Sequence, residues 1–244
     1  MGKILIYTIS DLRKTSLKCV DLLYNSLLYN NKVTDFDFYV VTNDLNYKNI
    51  DNFKHKFLFD SNNNTYIGWS KFTQSLPDGY DFYLYFDSDI LVYESLTNLV
   101  LDNDYTIVFE DLKMSNDWFN YPFATDAEKN EFVLLNGINA GTFGFKDLNF
   151  LNVVRENCSR YNFDNQNEIS QAMFEQSSFN YSFFKIMDKC KYIDITNLVK
   201  LHAKEELSDH SIYHFCGYDG FMDNKLRKME IINDKIINLR ETKS

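Results

Sequence analysis

The chain has 244 residues, of which 45% are hydrophobic and 17% aromatic, with 22 Phe and 17 Tyr. That content supports a sizeable core and excludes a disordered chain. A net charge of -10 repels nucleic acid and anionic lipid, and no Lys/Arg block offsets it, so no nucleic-acid partner is expected.

Lys3 to Ile9 reads as an opening strand. A helix is predicted from about Thr15 to Asn30, because Leu17, Val20, Leu23, Leu27 and Leu28 recur at helical spacing. Phe36 to Thr42 is a second strand and Lys56 to Phe59 a short third, with Ser61–Thr65 as a polar surface loop between that strand and the next helix. That helix is predicted from Tyr66 to Leu76, stopped by Pro77-Asp78-Gly79. Phe82 to Phe86 is apolar on both faces, the signature of a central parallel strand covered by helices. Strand and helix thus alternate, as in a doubly wound α/β sheet. Further strands are predicted at Thr106–Phe109, Asn139–Phe145 and Ser211–Phe215. Helices are predicted after Asp147, from Glu168 to Ile186, and from Met222 to Ile232. With only 8 Gly, 2 Pro and no linker-like stretch, a single domain over residues 1–244 is expected.

Four scattered cysteines, Cys19, Cys158, Cys190 and Cys216, form no Cys-x-x-Cys pair and read as free thiols of a reducing compartment. The segment Met1–Tyr7 reads as strand rather than signal peptide, and Ile6 stands where a myristoylation signal requires Ser or Thr. No apolar run is long enough to span a membrane. The expected location is cytoplasmic.

Four short motifs carry the chemistry. Asp87-Ser88-Asp89 closes the central strand, where two anions call for a cation, and a hard divalent metal on a phosphate-bearing ligand supplies one. The bland alternative is a turn with two solvated carboxylates. His214, among Ile212, Tyr213 and Phe215, is either a further metal ligand or a satisfied core histidine. Zinc on His210, His214 and Cys216 lacks a second convincing ligand pair. Gly137–Gly144 is rich in small residues that allow close backbone approach to a ligand, with Asn139 as donor and acceptor, or else is a strand bent at its glycines. Gln176 falls on the apolar face of its helix with Glu175 beside it, which demands either backbone partners or a cleft.

In this order the motifs resemble the GT-A fold glycosyltransferases, and most closely glycosyltransferase family 8, the glycogenin-like and lipopolysaccharide galactosyltransferase-like group. The resemblance rests on Tyr85-Phe86-Asp87-Ser88-Asp89-Ile90-Leu91, Asn139-Ala140-Gly141, Glu175-Gln176-Ser177 and His214-Phe215-Cys216-Gly217. It implies one α/β domain with a Rossmann-like, mostly parallel central sheet flanked by helices and a mixed C-terminal half. Residues up to about 100 would form the nucleotide-binding half and the remainder the sugar and acceptor half. It implies an enzyme using Mn²⁺ (or Mg²⁺) and a UDP-sugar donor, with retention. Asp87, Asp89 and His214 would hold the metal, with Asp87 also near the ribose. Tyr7 and Thr8 would cradle the uracil, and Lys71 and Gly217 would face the nucleotide. Asn139, Gly141 and Gln176 would line the sugar, with Gln176 at the anomeric carbon. Where the family continues its late glycine with Lys-Pro-Trp, this chain reads Gly217-Tyr218-Asp219-Gly220-Phe221, and Lys225 is the lysine left to take the phosphate. In an inverting enzyme Glu175, Asp219 or Asp223 would serve as base. The acceptor, whether glycan, protein or lipid-linked sugar, is not encoded in any motif. The rival readings are a phosphohydrolase using Asp87 and Asp89, and a non-catalytic sugar-binding module.

Overall fold

The computed structural model describes residues 2–43, 56–59, 67–100, 102–161, 168–216 and 222–242. The chain opens with β1 (Ile4–Ile9), α1 (Lys14–Leu27), β2 (Phe36–Thr42) and β3 (Lys56–Phe59). A 3-10 turn at Ile67–Trp69 leads into the short α2 (Ser70–Thr73), followed by β4 (Phe82–Phe86), β5 (Ile90–Val92) and α3 (Leu96–Val100). Next come β6 (Tyr105–Ile107), β7 (Phe109–Lys113), α4 (Asp126–Phe132), β8 (Asn136–Ile138) and β9 (Thr142–Phe145). The chain continues through α5 (Asn149–Cys158), α6 (Glu168–Phe184), β10 (Tyr192–Asp194), β11 (Val199–Lys200), β12 (Ile212–His214) and α7 (Met222–Glu241).

Seven strands form the central sheet in the order β10-β6-β9-β4-β1-β2-β3. Within it β9 runs antiparallel to β4 and β6, while the other pairings are parallel. The period-two alternation of strand side chains sorts the core onto two faces. Leu5 and Tyr7 of β1 and Tyr83 and Tyr85 of β4 point to one face, where Phe72 of α2, Leu151 and Val154 of α5, and Phe179 and Phe183 of α6 cover them. Ile4 and Ile6 with Phe82, Leu84 and Phe86 point to the other, under Val20, Leu23 and Leu27 of α1 and Leu96 and Leu99 of α3. A smaller sheet, β11-β12-β5, carries α7 through Leu226, Met229 and Ile232. The α/β class with a mostly parallel, helix-flanked sheet is therefore what the chain adopts.

Local differences from the expected elements have physical causes. The helix expected over Tyr66–Leu76 shrinks to α2, because Gln74 turns extended and its amide donates to the Lys71 carbonyl at 3.0 Å. Arg155 then donates to the Phe72 and Gln74 carbonyls, both at 3.3 Å, which satisfies that C-terminus without another turn. The strand expected over Asn139–Phe145 starts only at Thr142, since Asn139–Gly141 forms a turn closed by the Asn139 side chain accepting from Gly141 N at 2.9 Å. The last helix continues past Ile232 to Glu241. Tyr66 and the Ser61–Thr65 loop lie outside the described residues.

Candidate active site

The sheet topology delivers the predicted residues to one place, at the carboxyl end of β4. Asp87 leaves β4 directly, and Ser88 and Asp89 make the turn into β5. The two carboxylates converge through this turn. Antiparallel pairing of β12 with β5 sets His214 opposite Ile90, and Phe215 N donates to the Asp89 carbonyl at 3.0 Å. Antiparallel pairing of β9 with β4 sets Thr142 opposite Phe86, so Asp87 N donates to the Gly141 carbonyl at 2.8 Å. One ligand atom from each of Asp87, Asp89 and His214 lies within 4.8 Å of the others.

His214 is 2% exposed, yet among the described residues neither ring nitrogen makes a hydrogen bond. Its Nε2 lies 3.5 Å from Asp89 Oδ1 and 3.6 Å from Asp87 Oδ2, too far for good hydrogen bonds and suitably spaced around a cation. A satisfied core histidine does not look like this. Gly141 supplies the room: a Cβ there would meet His214 Cε1 and would stand 2.6 Å from Asp87 Oδ2 and 2.9 Å from Asn139 Oδ1. Two carboxylates and an imidazole suit Mn²⁺ or Mg²⁺ better than a thiolate-seeking ion. Cys216 instead lies 3.5 Å from His202 Nδ1 and is no member of the triad.

Two lysines attend the carboxylates. Lys71, 4% exposed, pairs with Glu175, donates to the Ala140 carbonyl at 3.2 Å and stands 3.6 Å from Asp87 Oδ1. Lys225 donates to Asp89 Oδ2 at 2.6 Å. Burial pushes the Asp87 and Asp89 carboxyls up, but Lys71 beside the first, Lys225 beside the second and the His214 ring between them hold both below the usual carboxylate range. Glu175 goes the other way: burial raises it to about 7, Lys71 pulls it down and Asp87 pushes it up. Burial lowers the Lys71 ammonium, yet Asp87 and Glu175 raise it more. Lys71 is therefore the fixed positive charge of the cluster.

Beside the triad, Ala140 N donates to Gln176 Oε1 at 2.7 Å, and Asn139 Nδ2 donates to Glu110 Oε1 at 2.6 Å. Glu110, on β7, was not singled out in the sequence. No motif surrounds it, and only the β7–β8 ribbon brings it beside Asn139. Asn180, one turn beyond Gln176, accepts from Ile138 N at 2.6 Å and donates to the Ile138 carbonyl at 2.8 Å, which ties α6 to the turn. Tyr85, buried beneath, donates to Asp87.

Asp87, Asp89, Asn139, Gly141, Glu175, Gln176, His214, Lys71 and Lys225 thus come together. Tyr7 is fully buried, its ring 5.0 Å from Tyr85 and 6.5 Å from Phe143, and its hydroxyl donates to the Lys71 carbonyl at 3.1 Å. That side chain supports α2 from within the core. Thr8 is also interior, its hydroxyl without a hydrogen bond among the described residues. Gly217 and Asp219 lie outside the described residues. No described helix is long and apolar enough to cross a membrane.

Among solved structures, the chain is similar to an active-site Gln-to-Glu variant of LgtC, with 16% identity and a TM-score of 0.54, covering 94% of this chain and 95% of that one. It is similar to the galactosyltransferase LgtC in complex with donor and acceptor sugar analogues, with 14% identity and a TM-score of 0.55, over 93% and 94% of the two chains. It is also similar to the glycosyltransferase GlyE of Streptococcus pneumoniae TIGR4, with 12% identity and a TM-score of 0.54, over 99% of this chain and 64% of that one. The fold is accordingly the GT-A glycosyltransferase fold of these neighbours. No protein-family model and no curated protein matches the chain.

Proposed function

We propose that this protein is a glycosyltransferase that uses a divalent metal, Mn²⁺ or Mg²⁺, to transfer a hexose from a UDP-sugar to an acceptor with retention. The observation that carries the reading is the convergence of Asp87, Asp89 and His214 at the carboxyl edge of a GT-A sheet, with neither histidine nitrogen hydrogen-bonded among the described residues. Asp87, Asp89 and His214 are the residues that would hold the ion. When bound, such an ion neutralises charge on a leaving diphosphate.

The remaining work falls to the chain. Lys71 keeps a positive charge beside Asp87 and, through Glu175, stays in one orientation. Glu175 is thus a positioning residue, since one oxygen is committed to Lys71 and the other is buried. Lys225 supplies a second cation next to Asp89. Gln176, held through its Oε1 by Ala140 N, keeps its amide donors for the sugar and its electron-poor transition state. Asn139 and Glu110 line the same side as a hydrogen-bonding pair. The acceptor is a glycan, a protein or a lipid-linked sugar, and a cytoplasmic location is in keeping with the four free cysteines.

The phosphohydrolase alternative needs an unencumbered Asp87 nucleophile, whereas Asp87 accepts from Tyr85 and faces Lys71 and His214. The test is turnover of UDP-hexoses against a simple phosphomonoester, with and without Mn²⁺. Release of UDP that requires Mn²⁺ and vanishes in Asp89→Asn is the expected result. Phosphomonoester cleavage with inert UDP-sugars would replace this function by the alternative.

A further inference from the structure

The two lysines of the site are not equivalent. Lys71 has three acceptors, from Glu175, Ala140 and Asp87, and is 4% exposed. Lys225 has one partner among the described residues, Asp89 Oδ2, and its side chain is 19% exposed. It stands in the first turn of α7, which is anchored below by Leu226, Met229 and Ile232 and at its start by Thr15 donating to Asp223 at 2.6 Å. The helix is thus fixed, while the long lysine side chain is free to change partner.

Asp89 is shared. Its Oδ1 faces His214 Nε2 at 3.5 Å and its Oδ2 holds the Lys225 ammonium at 2.6 Å. A divalent ion among Asp87, Asp89 and His214 would claim the same carboxylate. With Glu175 ionised against Lys71, the three carboxylates Asp87, Asp89 and Glu175 and the two ammoniums Lys71 and Lys225 sum to -1, so a dication with no accompanying anion turns the cluster to +1 and repels the more exposed ammonium. A diphosphate reverses that balance by giving Lys225 a new anionic partner.

We propose that Lys225 is an exchangeable counter-cation of Asp89, opposing metal binding on its own and favouring it once a nucleoside diphosphate is present. The Asp89–Lys225 contact thereby couples metal and nucleotide, so that a lone metal is held weakly and the metal–nucleotide pair tightly. This rests on the reading of the triad as a metal site, and Lys225 is a positioning residue within it.

Free Mn²⁺ measured by electron paramagnetic resonance during titration of the full chain tests it, followed by UDP titration at saturating Mn²⁺. Lys225→Met should bind Mn²⁺ alone about tenfold tighter and bind UDP with Mn²⁺ about tenfold weaker, while Lys225→Arg follows the wild type on both. Melting curves of both variants confirm folding. Unchanged or weaker Mn²⁺ binding by folded Lys225→Met overturns the competition and leaves the metal site standing. Absence of Mn²⁺ binding in wild type and Lys225→Met alike overturns the metal site itself, and the proposal with it.

Discussion

His214 and Gly141 together define what the site is for. A buried imidazole that makes no hydrogen bond costs about 1–3 kcal/mol unless a ligand takes a nitrogen. The missing Cβ of Gly141 keeps the space beside it open. Gly141→Ala should therefore leave the protein folded by circular dichroism and weaken Mn²⁺ binding at least about tenfold, read by calorimetry, because the new methyl meets His214 and Asp87. Binding at wild-type strength would mean the triad does not use this space. Asp87, Asp89 and His214 were readable in the sequence because each sits in a short motif at the end of an apolar strand. Glu110 was not, since its role depends on a strand pairing and on no neighbour in sequence. Lys71 and Glu175 are each legible singly, but their ion pair joins elements about a hundred residues apart and has no linear signature.

At the scale of elements, α6 is the brace of the site. It carries buried Glu175, Ser177, Ser178, Asn180 and Ser182, which blur its amphipathic pattern; Glu175 pairs with Lys71, and Ser177, Asn180 and Ser182 make side-chain hydrogen bonds. Asn180→Leu would strip Ile138 N and its carbonyl of their partner, at a cost of about 2–3 kcal/mol and a Tm loss of about 4–12 °C. A melting curve within 1–2 °C of wild type would show that Asn180 does not brace the turn. α4 is fixed differently, by a full capping box between Thr125 and Glu128, and Glu128 also accepts from Tyr181 of α6 at 3.0 Å and from Lys185, just past the end of α6, at 2.5 Å. Thr125→Ala should lower Tm by about 2–4 °C. Lys185 and the Thr125 backbone hold Glu128 down at about 2, below its ordinary 4.5. A lowered carboxyl stabilises the fold above its unfolded value and loses that contribution as pH falls through its folded value. The Tm difference between wild type and Glu128→Gln should accordingly be full above about pH 4.5 and vanish toward pH 2. A pH-independent difference would assign the effect to packing. Long apolar strands and the α1 face were legible because their periodicity is strong. Short β5, β7, β8 and β10 were not, being three to five residues long and defined by partners far away in sequence.

At the scale of the molecule, the sheet explains why the motifs lie so far apart in the chain and so close in space. β4 brings the two aspartates, antiparallel β9 brings Gly141, and the β5–β12 pair brings His214. α2, α6 and α7 then add Lys71, Glu175 with Gln176, and Lys225 from three sides. The fold class was readable from the alternation of strand and helix. The single reversed strand was not, because β9 has the same apolar pattern whichever way it runs. The central claim is that this convergence binds a metal and a nucleoside diphosphate as one unit. Thermal melting with UDP, with Mn²⁺ and with both tests it most directly. UDP should raise Tm only when Mn²⁺ is present, and Asp89→Ala, still folded, should lose the shift. An equal UDP shift without metal, or no shift under any combination, would contradict it.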